Sequence, residues 1–121
     1  MRFDIIANNC RVEGDLTVLG ATTTISTTNT EISDTLIELN SGQTGTNTKD
    51  IGLILDRGAA DNAAIVWDES ATQFTLGTTT AASTASNVDV TAGTLYAKIS
   101  VPEAGDLKIE DVVVTLSLIH I

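Results

Sequence analysis

The chain has 121 residues, with 16 acids against 6 bases and a net charge of −10, which is the size of one domain or of a few small modules. Such acidity repels phosphate backbones, and the single cysteine excludes an internal disulfide or a cysteine zinc site, so we expect neither nucleic-acid binding nor a disulfide framework. No apolar run reaches the length of a membrane span, and no secretion-signal pattern follows Met1, so we expect no membrane insertion.

Residues 1–48 are predicted to form an N-terminal β-fibre segment. In "RVEGDLTVLG", Val12, Leu16 and Val18 fall on one face of an alternating strand. The following "ATTTISTTNT" is almost entirely threonine, serine and asparagine. "EISDTLIELN" has apolar residues near helical spacing, but its "DTLIEL" also fits a strand, which we prefer.

A segment of this composition cannot bury enough apolar surface alone to offset an ordering cost of about 1–2 kcal/mol per residue. Several copies wound together can do so, because each copy contributes one aliphatic row to a shared narrow axis. Threonine suits such strands because its χ1 is already restricted. The composition therefore favours an intertwined β-fibre. The alternative, a disordered spacer, is weakened by the regular placement of five aliphatic residues: Ile25, Ile32, Leu36, Ile37 and Leu39.

Residues 49–77 are predicted to form a small antiparallel β unit with strands in "DIGLILD", "AAIVWD" and "QFTLG". Aromatic residues make up only 3% of the chain, so Trp67 is expected to be the large core anchor of this unit; an exposed, sugar-stacking Trp67 remains the alternative. The bulky residues of the three strands are expected to share one cluster: Leu53, Leu55, Ile65, Trp67, Phe74 and Leu76.

Residues 78–86 read as a Thr/Ala/Ser linker, and residues 87–121 as a second β segment with strands in "NVDV", "TLYAKISV" and "DLKIEDVVVTL". The final "LSLIHI", residues 116–121, is also the translation of a string that resembles the adapter end of transposase-based sequencing libraries. We therefore expect that the reading frame is truncated, that the chain is a fragment from a metagenomic source, and that His120 has no functional role. A native apolar final strand is the alternative.

The sequence predicts no catalytic, cofactor-binding or metal-binding residue, and no cofactor. His120 is a poor base for nucleophilic catalysis. The carboxylate pairs Asp68 with Glu69 and Asp56 with Asp61 have the residue types of a glycosidase but read as solvated turns. Those four acids and Asn62 offer the oxygen ligands that calcium prefers, yet without the spacing of known calcium loops.

Two further features are interpreted as structural. The loop "GQTGTNTK" lacks the spacing of a phosphate-binding loop. Arg57 is expected to pair with a neighbouring acid.

The stretch "VEGDLTVLGATTTISTTNTEISDTLIELNSG" closely resembles a recurrent segment of tail-fibre and baseplate-associated fibre proteins of tailed bacteriophages, notably those that infect marine cyanobacteria. "DIGLILDRGAADNAAIVWDESATQFTLGTTT" is similar to the short β unit that follows it in such proteins, with its "DRG" and "WDES" turns. The resemblance covers residues 12–82. These are structural repeats without catalytic residues, so no binding residue can be carried over to this chain.

The resemblance implies an all-β, elongated virion protein, with fibrous segments flanking the small β unit and with three copies intertwined as a homotrimer. It implies a non-enzymatic subunit of a phage tail or baseplate fibre, assembled in the host cytoplasm and acting in virion assembly and host attachment. Its expected partners are itself, other fibre or baseplate proteins, and host surface glycans. The alternatives are a carbohydrate-binding or depolymerising surface module and a bacterial adhesin repeat.

Overall fold

The computed structural model describes residues 4–100, and the chain divides into two units, residues 1–37 and 38–121. Within the described range there is no helix, and the strands form one antiparallel sheet with the order β1-β2-β3-β4. The strands are β1 (Ile51–Leu55), β2 (Asn62–Asp68), β3 (Gln73–Thr79) and β4 (Thr91–Ala92). The prediction of an all-β fold is confirmed.

Short polar turns join the first three strands. After β1, the carboxylate of Asp56 accepts a hydrogen bond from the backbone N–H of Gly58 at 2.8 Å. After β2, the Asp68 carboxylate accepts from the Ser70 hydroxyl at 2.7 Å and from the Ala71 N–H at 3.0 Å. These side chains replace the backbone partners that a turn lacks, so neighbouring strands pair locally.

The two faces of the sheet differ in their surroundings. The register aligns Leu53 with Ile65 and Ile65 with Leu76, and side chains alternate between the faces along each strand. We call one side the apolar face; it carries Ile51, Leu53, Leu55, Ile65, Trp67, Phe74 and Leu76. We call the other side the covered face; it carries Gly52, Ile54, Ala64, Val66, Thr75, Gly77 and Thr79.

The connection between β3 and β4, residues 80–90, lies across the covered face. Its ties reach from one end of the sheet to the other: Asn62 donates to the Ala81 carbonyl at 3.1 Å, and the Asp50 N–H donates to the Ser86 carbonyl at 2.9 Å. The most buried apolar side chains of the described chain, Ala64 and Val66, are 3% and 2% exposed and belong to this face. The core of the sheet is therefore made on the covered face alone.

Two glycines allow backbones to approach closely on the covered face. A Cβ added at Gly52 would collide with the carbonyl oxygen of Ile65, and one added at Gly77 would collide with the carbonyl oxygen of Thr91. Because each obstacle is backbone rather than a flexible side chain, neither collision can be relieved by a rotamer change. These positions require glycine for the strands to meet.

Residues 4–37 contain neither helix nor strand, and every residue in this range is exposed. The strands expected in "RVEGDLTVLG" and "DTLIEL" are not formed in the single chain; they were predicted for several copies wound together. A strand needs a second backbone to accept its N–H groups, and the interactions seen in this range are local, such as Thr27 with Thr30 at 3.1 Å.

The strand predictions C-terminal to β3 are wrong where the structure describes them. Between residues 80 and 100 the sheet gains only β4, Thr91–Ala92. No strand forms in "NVDV" or in the described part of "TLYAKISV". The predicted linker at 78–86 begins too early, because Thr78 and Thr79 belong to β3. The strand in "DLKIEDVVVTL", the segment 116–121 and His120 lie outside the described residues.

Candidate functional site

The apolar face is a row of aliphatic side chains that solvent reaches. Leu53, Ile65 and Leu76 lie opposite one another on three adjacent strands, which brings their side chains within contact range. They are 50%, 43% and 41% exposed. These side chains pack against their neighbours within the sheet, but no described layer covers them. Their outer surfaces therefore remain in contact with water on all three strands.

Aromatic rings extend the apolar face towards the start of β3. Phe74 lies opposite Trp67 in the register, and their rings meet edge to face, with centroids 5.0 Å apart and planes inclined by 76°. This is a favoured aromatic geometry. Phe74 is nevertheless 74% exposed, so the two rings form an exposed aromatic edge of the sheet rather than a core.

A polar clamp, formed by Asn47, Asp50 and Glu69, fixes the tryptophan and the start of β1. The Trp67 indole N–H donates to Glu69 Oε2 at 2.8 Å, and Asn47 Nδ2 donates to the same oxygen at 3.2 Å. The two oxygens of Asp50 accept from the backbone N–H groups of Glu69, at 3.0 Å, and Val88, at 2.7 Å. One carboxylate thus joins β1, the β2–β3 turn and the connection over the covered face.

A shallow groove of about 350 Å³ lies on the apolar face. Its lining includes Leu55, Ile65 and Leu76, together with residues 93–95, which follow β4. No charged side chain lines it. Its chemistry suits an apolar group better than an ion or a reacting substrate.

The acids considered as calcium ligands are not brought together. Asp56, Asp61 and Asn62 lie at one end of β2, whereas Asp68 and Glu69 lie at the other, about 20 Å away at the rise of a β-strand. Among residues 4–100, no three His, Cys, Asp or Glu side chains lie close enough to hold a metal ion. The geometry gives these five residues no common ligand.

The paired carboxylates are used within the fold. Asp68 accepts the two turn hydrogen bonds described above, and the N–H of Ala71, followed by the hydroxyl of Ser70, lowers the pKa of its carboxyl. Glu69 holds Trp67 and Asn47 instead. Asp68 is thus held in its ionised form, and the two neighbouring acids face different donors.

The expectation that Trp67 anchors a buried core is wrong. The predicted cluster does gather on one side of the sheet, as the register requires, but that side is the apolar face. Trp67 is half-buried there, while the buried residues Ala64 and Val66 point the other way. Ile65 and Val66 are adjacent in β2, so each face of the strand carries an aliphatic side chain. The sequence pattern therefore did not predict which of the two faces is covered.

Other predicted features find local roles. The Arg57 guanidinium donates to the backbone carbonyl of Asp61 at 3.1 Å, so its partner is the main chain of an acid rather than the expected carboxylate. The loop "GQTGTNTK" contributes Asn47 to the polar clamp. The sequence reasoning missed Asp50 and Asn47; an acid directly before a strand is the weak signal that was present.

Comparisons with protein-family models, with curated proteins and with solved structures give no match to this chain. No helix in the part of the chain that the structure describes has the length and apolar character needed to cross a membrane. The functional interpretation therefore depends on the exposed apolar surfaces and on the sequence pattern.

Proposed function

We propose that the chain is a non-catalytic structural subunit of a bacteriophage tail fibre or baseplate fibre. It assembles with copies of itself as a homotrimer and acts in virion assembly and host attachment, with other fibre or baseplate proteins and host surface glycans as further partners. The resemblance of residues 12–82 to phage fibre segments supports this proposal, and so does the all-β fold.

One observation carries the proposal: residues 4–37 expose all their large aliphatic side chains. Leu16, Leu36 and Ile37 are 72%, 86% and 70% exposed, and the range contains no strand or helix. Soluble monomers expose single apolar residues routinely, but a long run in which each one is exposed points to a surface that another chain covers.

Copies of the same chain are the partners that fit this segment. It contains no aromatic side chain, so a narrow axis shared by several copies brings aliphatic rows together without a thick core. Threonine hydroxyls between the rows can hydrogen-bond to backbone groups or to one another, as the hydroxyls of Thr27 and Thr30 do locally at 3.1 Å. Each copy would then gain the pairing partner that a single backbone lacks.

Sedimentation equilibrium of the full chain tests the proposal. We expect the mass of three chains at micromolar concentration. The double variant Leu16→Asn with Leu36→Asn should dissociate, because both side chains would line the shared axis. The matched variant Thr22→Asn with Thr28→Asn changes polar positions of the same segment and should remain assembled.

A folded monomer at micromolar concentration whose residues 4–37 are protected from hydrogen exchange would refute the proposal. Equal dissociation of both double variants would also refute it, because the effect would then not depend on the aliphatic rows.

A carbohydrate-binding module is the second candidate, and the exposed aromatic edge favours it. Phe74 is held by Trp67 but presents most of its ring to solvent, and sugars stack on rings of this kind. Isothermal titration with bacterial surface polysaccharides would test it: binding that Phe74→Ala removes would support this candidate, and heat identical to buffer dilution would eliminate it.

A further inference from the structure

We infer that the apolar face of the sheet is a second interface between copies of this chain, separate from residues 4–37. This inference deepens the proposed self-assembly and rests on it. Its occupants are the same faces of the other two copies in the proposed trimer, and its central element is the row formed by Leu53, Ile65 and Leu76.

The one-sided covering of the sheet is the first argument. Residues 80–90 cross the covered face and leave Val66 2% exposed. Leu53 and Leu76, equally aliphatic, remain 50% and 41% exposed on the other side. A sheet with two apolar faces needs a layer on each, and the described chain supplies only one of them.

Charge identifies the occupant. The chain carries a net charge of −10, so two copies repel one another at most contacts. The charged side chains from β1 to β3 lie in the turns or, for Asp68, at the end of β2 on the covered face: Asp56, Arg57, Asp61, Asp68 and Glu69. Of these groups only the Glu69 carboxylate reaches the apolar face, at its edge, where it accepts from the Trp67 indole. The central row of Leu53, Ile65 and Leu76 carries no charge, so like copies can meet there without placing acids against acids.

The exposed area is sufficient for such a contact. Five large side chains of this face are between 41% and 74% exposed: Leu53, Leu55, Ile65, Phe74 and Leu76. Together they present on the order of 500 Å², given that a whole aromatic side chain covers about 150–250 Å². Two faces together then bury about 1,000 Å², the level at which specific interfaces begin. The groove beside Leu55 and Leu95 gives this otherwise flat surface a shape into which an apolar side chain of the neighbouring copy fits.

The test compares two double variants of the full chain by sedimentation equilibrium over a range of concentrations. Leu53→Glu with Leu76→Glu places acids on the apolar face, and we expect the dissociation constant of the assembly to rise at least about 100-fold. Ala59→Glu with Ala60→Glu adds the same charge in the exposed β1–β2 loop. This control should leave the dissociation constant within about threefold of the wild-type value. Emission of the only tryptophan, Trp67, reports in parallel whether the sheet remains folded.

If the glutamate variant does not fold, Leu53→Thr with Leu76→Thr removes the aliphatic surface and introduces β-branched residues, which suit a strand; this variant should weaken assembly about tenfold. Equal dissociation constants for the face and loop variants would overturn the inference. So would a wild-type chain that is monomeric at every concentration, whether the apolar face is then covered by residues 101–121 or by another molecule.

The outcome also separates this inference from the proposed function. Dissociation by Leu16→Asn with Leu36→Asn, but not by the face variant, would remove the sheet interface and leave the fibre proposal standing. Dissociation by the face variant alone would keep the sheet interface and remove the role assigned to residues 4–37.

Discussion

Residues 4–37 and the sheet of residues 51–92 are built from similar amino acids but reach different states. Both are rich in β-branched residues, and both contain stretches in which apolar and polar positions alternate, such as "DLTVL" in residues 4–37 and "QFTLG" in β3. In the sheet, strands pair in register and bury Ala64 and Val66. In residues 4–37 no strand forms and every residue is exposed.

The difference shows that local pairing, rather than apolar content, decides which part of this chain folds by itself. Asp56 and Asp68 shape short turns that return the chain onto its own neighbour, so the loop-closure cost of each pairing is small. Residues 4–37 have the alternation without such turns. The single chain gives them no pairing partner, and the proposed assembly would supply one.

The largest expected effect is the loss of the Asp50 carboxylate. Asp50→Ala leaves the N–H groups of Glu69 and Val88 without their acceptor, and hydrogen bonds to a charged group contribute about 1.5–3 kcal/mol each. We expect the sheet to lose about 3–5 kcal/mol, measured by urea unfolding followed at Trp67. Asp50→Asn can accept only one of the two bonds, so its free energy of unfolding should lie between those of wild type and Asp50→Ala. Wild-type stability in both variants would show that the polar clamp does not stabilise the sheet.

Trp67→Ala should have the second largest effect on the stability of the sheet. The ring is half-buried, packs on Phe74 at 5.0 Å and donates to Glu69, so its removal should cost about 2–4 kcal/mol, below the full penalty for a buried aromatic. Thermal unfolding by circular dichroism measures it, with Tyr96→Ala, which removes a fully exposed ring, as the control. Unchanged stability would mean that Trp67 does not contribute to the sheet.

A pair of glycine variants contrasts the two regions directly. Gly52→Ala drives a Cβ into the backbone of β2 and should cost about 1–3 kcal/mol, as overpacking does. Gly14→Ala meets no atom within 4 Å and should leave the melting temperature of the sheet unchanged. Equal effects of the two substitutions on thermal unfolding would contradict the contrast between the regions.

The smallest effect is a pH dependence from Asp68. Because its turn hydrogen bonds lower the pKa of its carboxyl in the folded state, this group stabilises the sheet above its unfolded pKa, near pH 4. The contribution disappears as the pH falls through the lower, folded pKa. The stability difference between wild type and Asp68→Asn should therefore be greatest near neutral pH and shrink below about pH 4; a difference that grows on acidification would contradict it.

Part of this fold could be predicted from the sequence. Alternation and turn residues located β1, β2 and β3, and the register then gathered the predicted cluster around Trp67 on one face. The acids considered as metal ligands already lacked the necessary spacing, and the structure separates them along β2. Local patterns were sufficient wherever the interaction itself is local.

The covering of one face of the sheet could not be predicted, because it depends on contacts between residues that are distant in sequence. Residues 80–90 have the composition of a linker, yet Ser86 and Val88 are tied to Asp50, far away along the chain. Nothing in their own pattern shows that they cover one face of the sheet. Both faces of β2 are apolar, so the pattern of β2 does not predict that Val66 is buried while Ile65 is exposed.

Hydrogen–deuterium exchange as a function of protein concentration tests the central contrast most directly. We expect the amides of β2 and β3 to be protected at every concentration, because their hydrogen bonds lie within one chain. Amides of residues 4–37 should exchange freely in the dilute monomer and become protected only as sedimentation shows assembly. Protection of residues 4–37 in a dilute monomer, or free exchange of this range in the assembled state, would contradict the account.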